Sequence, residues 1–194
     1  MRRSLVAIGA VTAVVAAACG GHRSAAPPPP TVVASTTTTT TPDPTVVPPV
    51  ITAAYLDAVF ARLNHVYGDA VRELVQARSV DPRVQTLLRA IYADPQYQYE
   101  LNVFQQGLAS SLAQLRPNPG DPVFSLVRWR LSDGCIETTV LVNPDAQLIQ
   151  PVTPVQAFID LKAGTGSHDP GHLNRTNWSI SYERNTPPPG ESCA

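Results

Sequence analysis

A stretch near the N-terminus decides how much of this chain can fold. Between residues 20 and 50 stand four consecutive prolines (Pro27 to Pro30) and six consecutive threonines (Thr36 to Thr41). Pro42, Pro44, Pro48 and Pro49 follow. Proline removes backbone donors and favours the extended polyproline II form, so such a segment cannot close a packed core. At about 3.1 Å per residue it reaches on the order of 95 Å as an upper bound, the span of a spacer. A Thr/Pro stalk carrying O-linked sugar is the sharper alternative. Of the 194 residues, a core must therefore come from residues 51–194, a length that suits one domain.

The residues before the spacer read as an export signal. Met1-Arg2-Arg3 is a short basic start, and residues 5–18 form an uncharged run rich in Ala and Val. At 1.5 Å per residue that run spans about 21 Å, short of the roughly 30 Å hydrocarbon core, so a permanent transmembrane helix fits poorly. Ala16-Ala17-Ala18 supplies small residues for cleavage, directly before Cys19-Gly20. This junction resembles the lipobox of bacterial lipoproteins. The resemblance implies a signal peptide over 1–18, acylation of Cys19 and a tether over 19–50; a plain secreted chain and an uncleaved anchor are the other options. One acyl chain holds only reversibly, so a durable anchor needs two or more. Without residues 1–18 the balance is 12 basic to 15 acidic residues, a net charge of −3. That sign favours neither adsorption to an anionic leaflet nor nucleic acid as a partner.

Residues 51–194 change period half-way. Leu56, Val59, Phe60, Leu63, Tyr67, Ala70, Val71, Leu74 and Val75 recur every three or four positions, the stripe of a long helix. Asp81-Pro82 and Asp94-Pro95 each read as an N-cap before a first-turn proline. They open helices carrying Leu87, Leu88 and Ile91, then Leu101, Phe104, Leu108 and Leu112. The run Pro117 to Pro122 ends the helical half. Strands then fit residues 123–131 and 135–143 around a turn at Ser132-Asp133-Gly134, and further strands fit 155–163 and 178–184. In the last, Trp178, Ile180 and Tyr182 alternate with Ser179, Ser181 and Glu183. Helices before strands imply an α+β domain: three N-terminal helices on a curved antiparallel sheet of about four strands.

This element order resembles the cystatin-like cone of the NTF2-like superfamily over about residues 51–185, with no diagnostic motif. That family usually places a strand among its helices, and none is read between Asp81 and Leu115.

No constellation announces chemistry. Cys135 and Cys193 form an even pair in an exported chain and are expected to make a disulfide, which by chain entropy contributes about 4 kcal/mol. His168 and His172 flank Asp169, but Pro170 and Gly171 break the helix a zinc pair would need, so a solvated loop is expected. There is no Gly-x-Ser-x-Gly elbow. His65 falls off the apolar stripe, and Asp57 and Glu73 do the same, so no catalytic residue, metal site or cofactor is assigned. Asn174-Arg175-Thr176 and Asn177-Trp178-Ser179 read as chance matches to the glycosylation pattern. Arg128-Trp129-Arg130 places two arginines on one strand face and Trp129 on the other. Tyr67, Arg128, Trp129 and Trp178 are the candidate pocket residues, with an apolar ligand or an envelope protein as candidate partner.

Thirteen arginines to one lysine, with abundant Ala, Val and Pro, resemble an actinobacterial cell-envelope lipoprotein. The reading is a membrane-anchored, extracytoplasmic, non-enzymatic binding domain. A small-molecule or lipid carrier, or an enzyme built from ordinary-looking residues, are the alternatives.

Overall fold

The structure, a computed structural model, describes residues 41–132, 134–164, 169 and 171–186. The expected signal peptide over 1–18, Cys19, the expected tether as far as residue 40, the turn residue Asp133 and Cys193 lie outside the described residues. Three helices come first: α1 (Ala53–Ala77), α2 (Pro82–Ile91) and α3 (Gln96–Gln114). Four strands follow, β1 (Val123–Ser132), β2 (Cys135–Asn143), β3 (Val155–Ala163) and β4 (Trp178–Arg184), in one antiparallel sheet of order β1-β2-β3-β4. The domain is α+β, with helices packed against the sheet. None of the described helices is long and apolar enough to cross a membrane.

Local chemistry explains most boundaries. Thr52 caps α1 by accepting from the Tyr55 amide at 3.2 Å, and Arg78 closes it in the left-handed region at φ 52°. Asp81 caps α2, accepting from the Val84 amide at 2.9 Å, with Pro82 in the first turn. At α3 the expectation fails. Asp94 does not cap the helix; Pro95 holds the cap position with no side-chain bond, and the Asp94–Pro95 peptide is cis. The Ala93 carbonyl takes the Tyr97 amide instead, at 2.9 Å.

Ser132 pairs with Cys135 across the β1–β2 hairpin, and Gly134 adopts φ 84°, a conformation that costs glycine least. Inward-facing Ile136, Val140, Ala157, Ile159, Leu161 and Ile180 meet Leu56, Val59, Phe60 and Leu63 of α1 and Val84, Leu88 and Ile91 of α2 in one core. The Phe60 and Phe124 rings lie 5.9 Å apart, and Trp178 Nε1 donates to the Tyr55 hydroxyl at 3.0 Å. Residues 41–50, which composition assigns to the spacer, form neither helix nor strand. They are already held at Thr45, whose carbonyl accepts from Asn177 Nδ2 at 2.8 Å.

Two irregularities set the contact between the helices and the edge strand β4. Tyr92, between α2 and α3, makes a single parallel bridge to Ile180, and the Ala93 amide donates to the Ile180 carbonyl at 2.9 Å. In β4 the register shifts: Leu161 faces Ile180, but Asp160 faces Tyr182 and Ile159 faces Glu183. The irregularity falls at Ser181 and exchanges the faces beyond it. Glu183, expected outside with Ser179 and Ser181, thus joins Ile180 and Trp178 on the helix side.

Candidate functional site

Tyr67, Val71 and Leu74 recur at helical spacing along one face of α1. They form one wall of a crevice of about 190 Å³. Phe104 and Leu115 from the α3 side, and Gln147 and Leu148 of the β2–β3 connection, complete its lining. The Tyr67 and Phe104 rings meet edge to face at 5.9 Å. The connection is fixed by the backbone: the Arg116 amide donates to the Gln147 carbonyl at 2.8 Å, the Ile149 amide to the Gln114 carbonyl at 2.8 Å, and Leu115 bridges Leu148. Arg116 Nε adds a bond to the Leu148 carbonyl at 2.6 Å. Leu148 and Gln114 separate the crevice from a second depression of about 330 Å³ lined by Ile149 and Val152.

Gln147 is 6 % exposed, and among the described residues its Nε2 meets no hydrogen-bond partner. A buried donor left unpaired costs about 1–3 kcal/mol, so it calls for an explanation.

Behind Tyr67 lies a cluster that no motif announces. Tyr92 donates its hydroxyl to Glu183 Oε2 at 2.9 Å. Gln96, 2 % exposed, donates to Glu100 Oε1 at 2.7 Å and to the Glu183 carbonyl at 3.4 Å. Its oxygen accepts from the Glu183 amide at 3.2 Å and Arg184 Nη1 at 2.7 Å. One side-chain amide thereby satisfies a backbone pair on the edge strand β4. The Arg184 guanidinium also stacks on the Tyr99 ring, 3.5 Å from its centroid.

Burial, then the Glu183 charge, pushes Glu100 up to about 7; Gln96 and Arg184 oppose this. Burial raises Glu183 as well, against its Tyr92 hydrogen bond and Arg184. Burial first, and the two glutamates second, hold the Tyr67 and Tyr92 phenols protonated far above their ordinary range. The pair can thus hold a proton near neutral pH.

The four candidate pocket residues of the sequence do not converge. Tyr67 lines the crevice. Arg128 points to the opposite sheet face and donates to Thr139 Oγ1 at 3.0 Å, while Trp129 packs on the core. Trp178 is a core residue bonded to Tyr55, away from the crevice. Sequence reasoning misses both glutamates: Glu100 falls beside the apolar stripe of α3 and not on it, and the shift in β4 hides Glu183. The one available signal is the Glu100 carboxylate between Tyr99 and Leu101; Glu183, followed by Arg184, offers none.

Elsewhere, polar groups serve structure. Asp169, expected in a solvated loop, is buried and accepts from the Leu173 and Asn174 amides, both at 2.8 Å. Asn174 is fully buried and donates to the Ala90 and Trp178 carbonyls, both at 2.8 Å, so its amide has no room for sugar. His168 lies outside the described residues, and no group of three metal-ligating side chains occurs among those described. His65, half-exposed, contacts Asp121 through Nδ1 at 2.9 Å. Cys135 is buried and disulfide-bonded; Cys19 and Cys193 both lie outside the described residues. No family model, curated protein or solved structure matches this chain.

Proposed function

We propose that this chain is a membrane-anchored extracytoplasmic lipoprotein whose domain, an NTF2-like cone, binds a ligand or partner in the cell envelope without transforming it. The observation that carries the reading is the crevice beside Tyr67 and Phe104, lined mostly by apolar side chains and open to one side. Its volume of about 190 Å³ is below the roughly 300–1,000 Å³ of pockets that enclose a drug-sized molecule. It suits part of a molecule better than a whole lipid, which favours a binding module over a lipid carrier. The single parallel bridge of Tyr92 to Ile180 supports the NTF2-like reading, because that family pairs a strand from among its helices. The lipobox-like Ala16-Ala17-Ala18-Cys19 and the Pro/Thr spacer support the tether.

Native mass spectrometry of the chain extracted gently from its own membranes tests this. The expected spectrum carries acyl mass at Cys19 and a further reproducible mass, small molecule or polypeptide, on the domain. A chain without acyl mass overturns the anchor; a domain that is always bare overturns the binding role.

A second reading rests on Glu100, a carboxyl near neutral in its protonation and backed by Glu183, which fits a general acid. It requires that the captured molecule be converted by the wild-type chain and not by a Glu100→Gln variant.

A further inference from the structure

We infer that the crevice between α1 and α3 is a site for a small neutral molecule with an apolar body and one carbonyl oxygen, which accepts from Gln147 Nε2; this rests on the proposed binding role. Gln147 is nine-tenths buried, and among the described residues its amide nitrogen has no partner. Its backbone is held on both sides, the amide donating to the Pro144 carbonyl at 2.8 Å and the carbonyl accepting from Arg116 at 2.8 Å. The side chain lines the crevice, and a turn of its terminal amide brings the nitrogen, which has no accessible surface as it stands, to an oxygen from outside. The Tyr67 and Phe104 rings, in contact with each other, offer one aromatic surface for a flat apolar body to lie against.

Size narrows the class. A dry cavity of about 150 Å³ holds benzene, so a crevice of about 190 Å³ holds one ring and a short substituent. Charge narrows it further. No charged side chain is among those that line the crevice. A carboxylate ligand would be desolvated there without a counter-charge, whereas a ketone, ester or amide carbonyl would not.

The full chain is titrated with acetophenone and with α-methylstyrene, two molecules of one shape in which the carbonyl of the first is an apolar carbon–carbon double bond in the second. Backbone amide shifts of Phe104, Ser111 and Leu148 report occupancy. Simple hydrophobic transfer favours the olefin, so a ketone bound about five-fold more tightly is the mark of a donor in the site. Gln147→Leu is expected to reverse the order. Val103→Trp, at an exposed position on the rim, is expected to exclude both probes while the protein still melts cooperatively. Olefin bound as tightly as ketone by the wild-type chain overturns the role of Gln147 and leaves the binding crevice standing. Shifts unchanged by either probe overturn the site itself, and binding that survives Val103→Trp places it elsewhere.

Discussion

Helix α1 buries 11 of its 25 residues, while α3, with 19, buries only Gln96, Tyr97 and Phe104. Both carry apolar side chains every three or four positions. The difference lies in what they meet. The α1 stripe faces the sheet and α2, so Leu56, Val59, Phe60 and Leu63 are enclosed on every side. After its first turns α3 has only the edge of that assembly to lean on, and Leu101, Leu108 and Leu112 are part-covered. One helix supplies stability; the loosely covered half of the other leaves the crevice. Binding surfaces tend to be drawn from such less enclosed regions.

The sharpest way to break this contrast is a pair of truncations. Phe60→Ala removes a ring enclosed by the core and is expected to cost about 4 kcal/mol, whereas Leu108→Ala on α3 should cost about 1 kcal/mol. Urea unfolding of both variants measures it. Equal losses would mean that α3 is as firmly embedded as α1 and that the crevice is a feature of a rigid core.

The tightly packed half is also the more legible half. Periodicity places α1 and α2, the Asp81 cap can be read directly, and all four strands fall where alternation and Gly134 put them. What cannot be read is what packing decides. The cap of α3 depends on which carbonyl reaches the Tyr97 amide, and Asp94 loses that role to Ala93. A one-residue shift in β4 sends Glu183 inward, and strict alternation has no means of showing it. Gln147 belongs to a connection without period, and only its fixed backbone and closed surroundings give it meaning. Of the candidate site, Tyr67 alone is visible, because it shares the α1 stripe.

A second test compares how the two helices respond to pH. The anchored start of α3 carries Gln96 and Glu100 against Glu183 and Arg184 of β4, with Tyr67 and Tyr92 alongside. Glu100 titrates near 7 in the folded chain and near 4.5 when unfolded, so the native state binds the extra proton between those values. The stability from its neutral form is complete below about pH 4.5 and is lost as pH rises through about 7. The loss is on the order of 3 kcal/mol or less, because Glu100 is part-exposed and coupled to Glu183. Urea midpoints at pH 5 and pH 8 should therefore fall with pH, and Glu100→Gln should flatten the dependence. Hydrogen exchange should place the loosening in α3 and leave α1 protected. A midpoint that rises over that range would mean that Arg184 outweighs burial.

The smallest effect probes where α1 holds the chain leaving α3. Arg72 of α1 donates to Asp121 Oδ1 at 2.8 Å and to the Pro119 carbonyl at 3.1 Å, and His65 meets Asp121 Oδ2 at 2.9 Å. Asp121 lies directly over Gly68, so any β-carbon at position 68 would collide with its carboxylate. Glycine within a helix ordinarily costs about 1 kcal/mol relative to alanine, a penalty that Gly68 accepts for this close approach. The carboxylate cannot step aside without giving up Arg72 and His65. Gly68→Ala is therefore expected to destabilise by about 1–2 kcal/mol despite its better helix propensity. In an Asp121→Ala background the same change should stabilise by about 1 kcal/mol, because the carboxylate is gone, the flexible end of Arg72 can move off and the propensity gain remains. That reversal of sign, read from a double-mutant cycle of urea midpoints, separates a steric lock from a general intolerance of α1 to substitution. If Gly68→Ala destabilises equally in both backgrounds, the connection after α3 is held by its own bonds to the β2–β3 loop and not by α1.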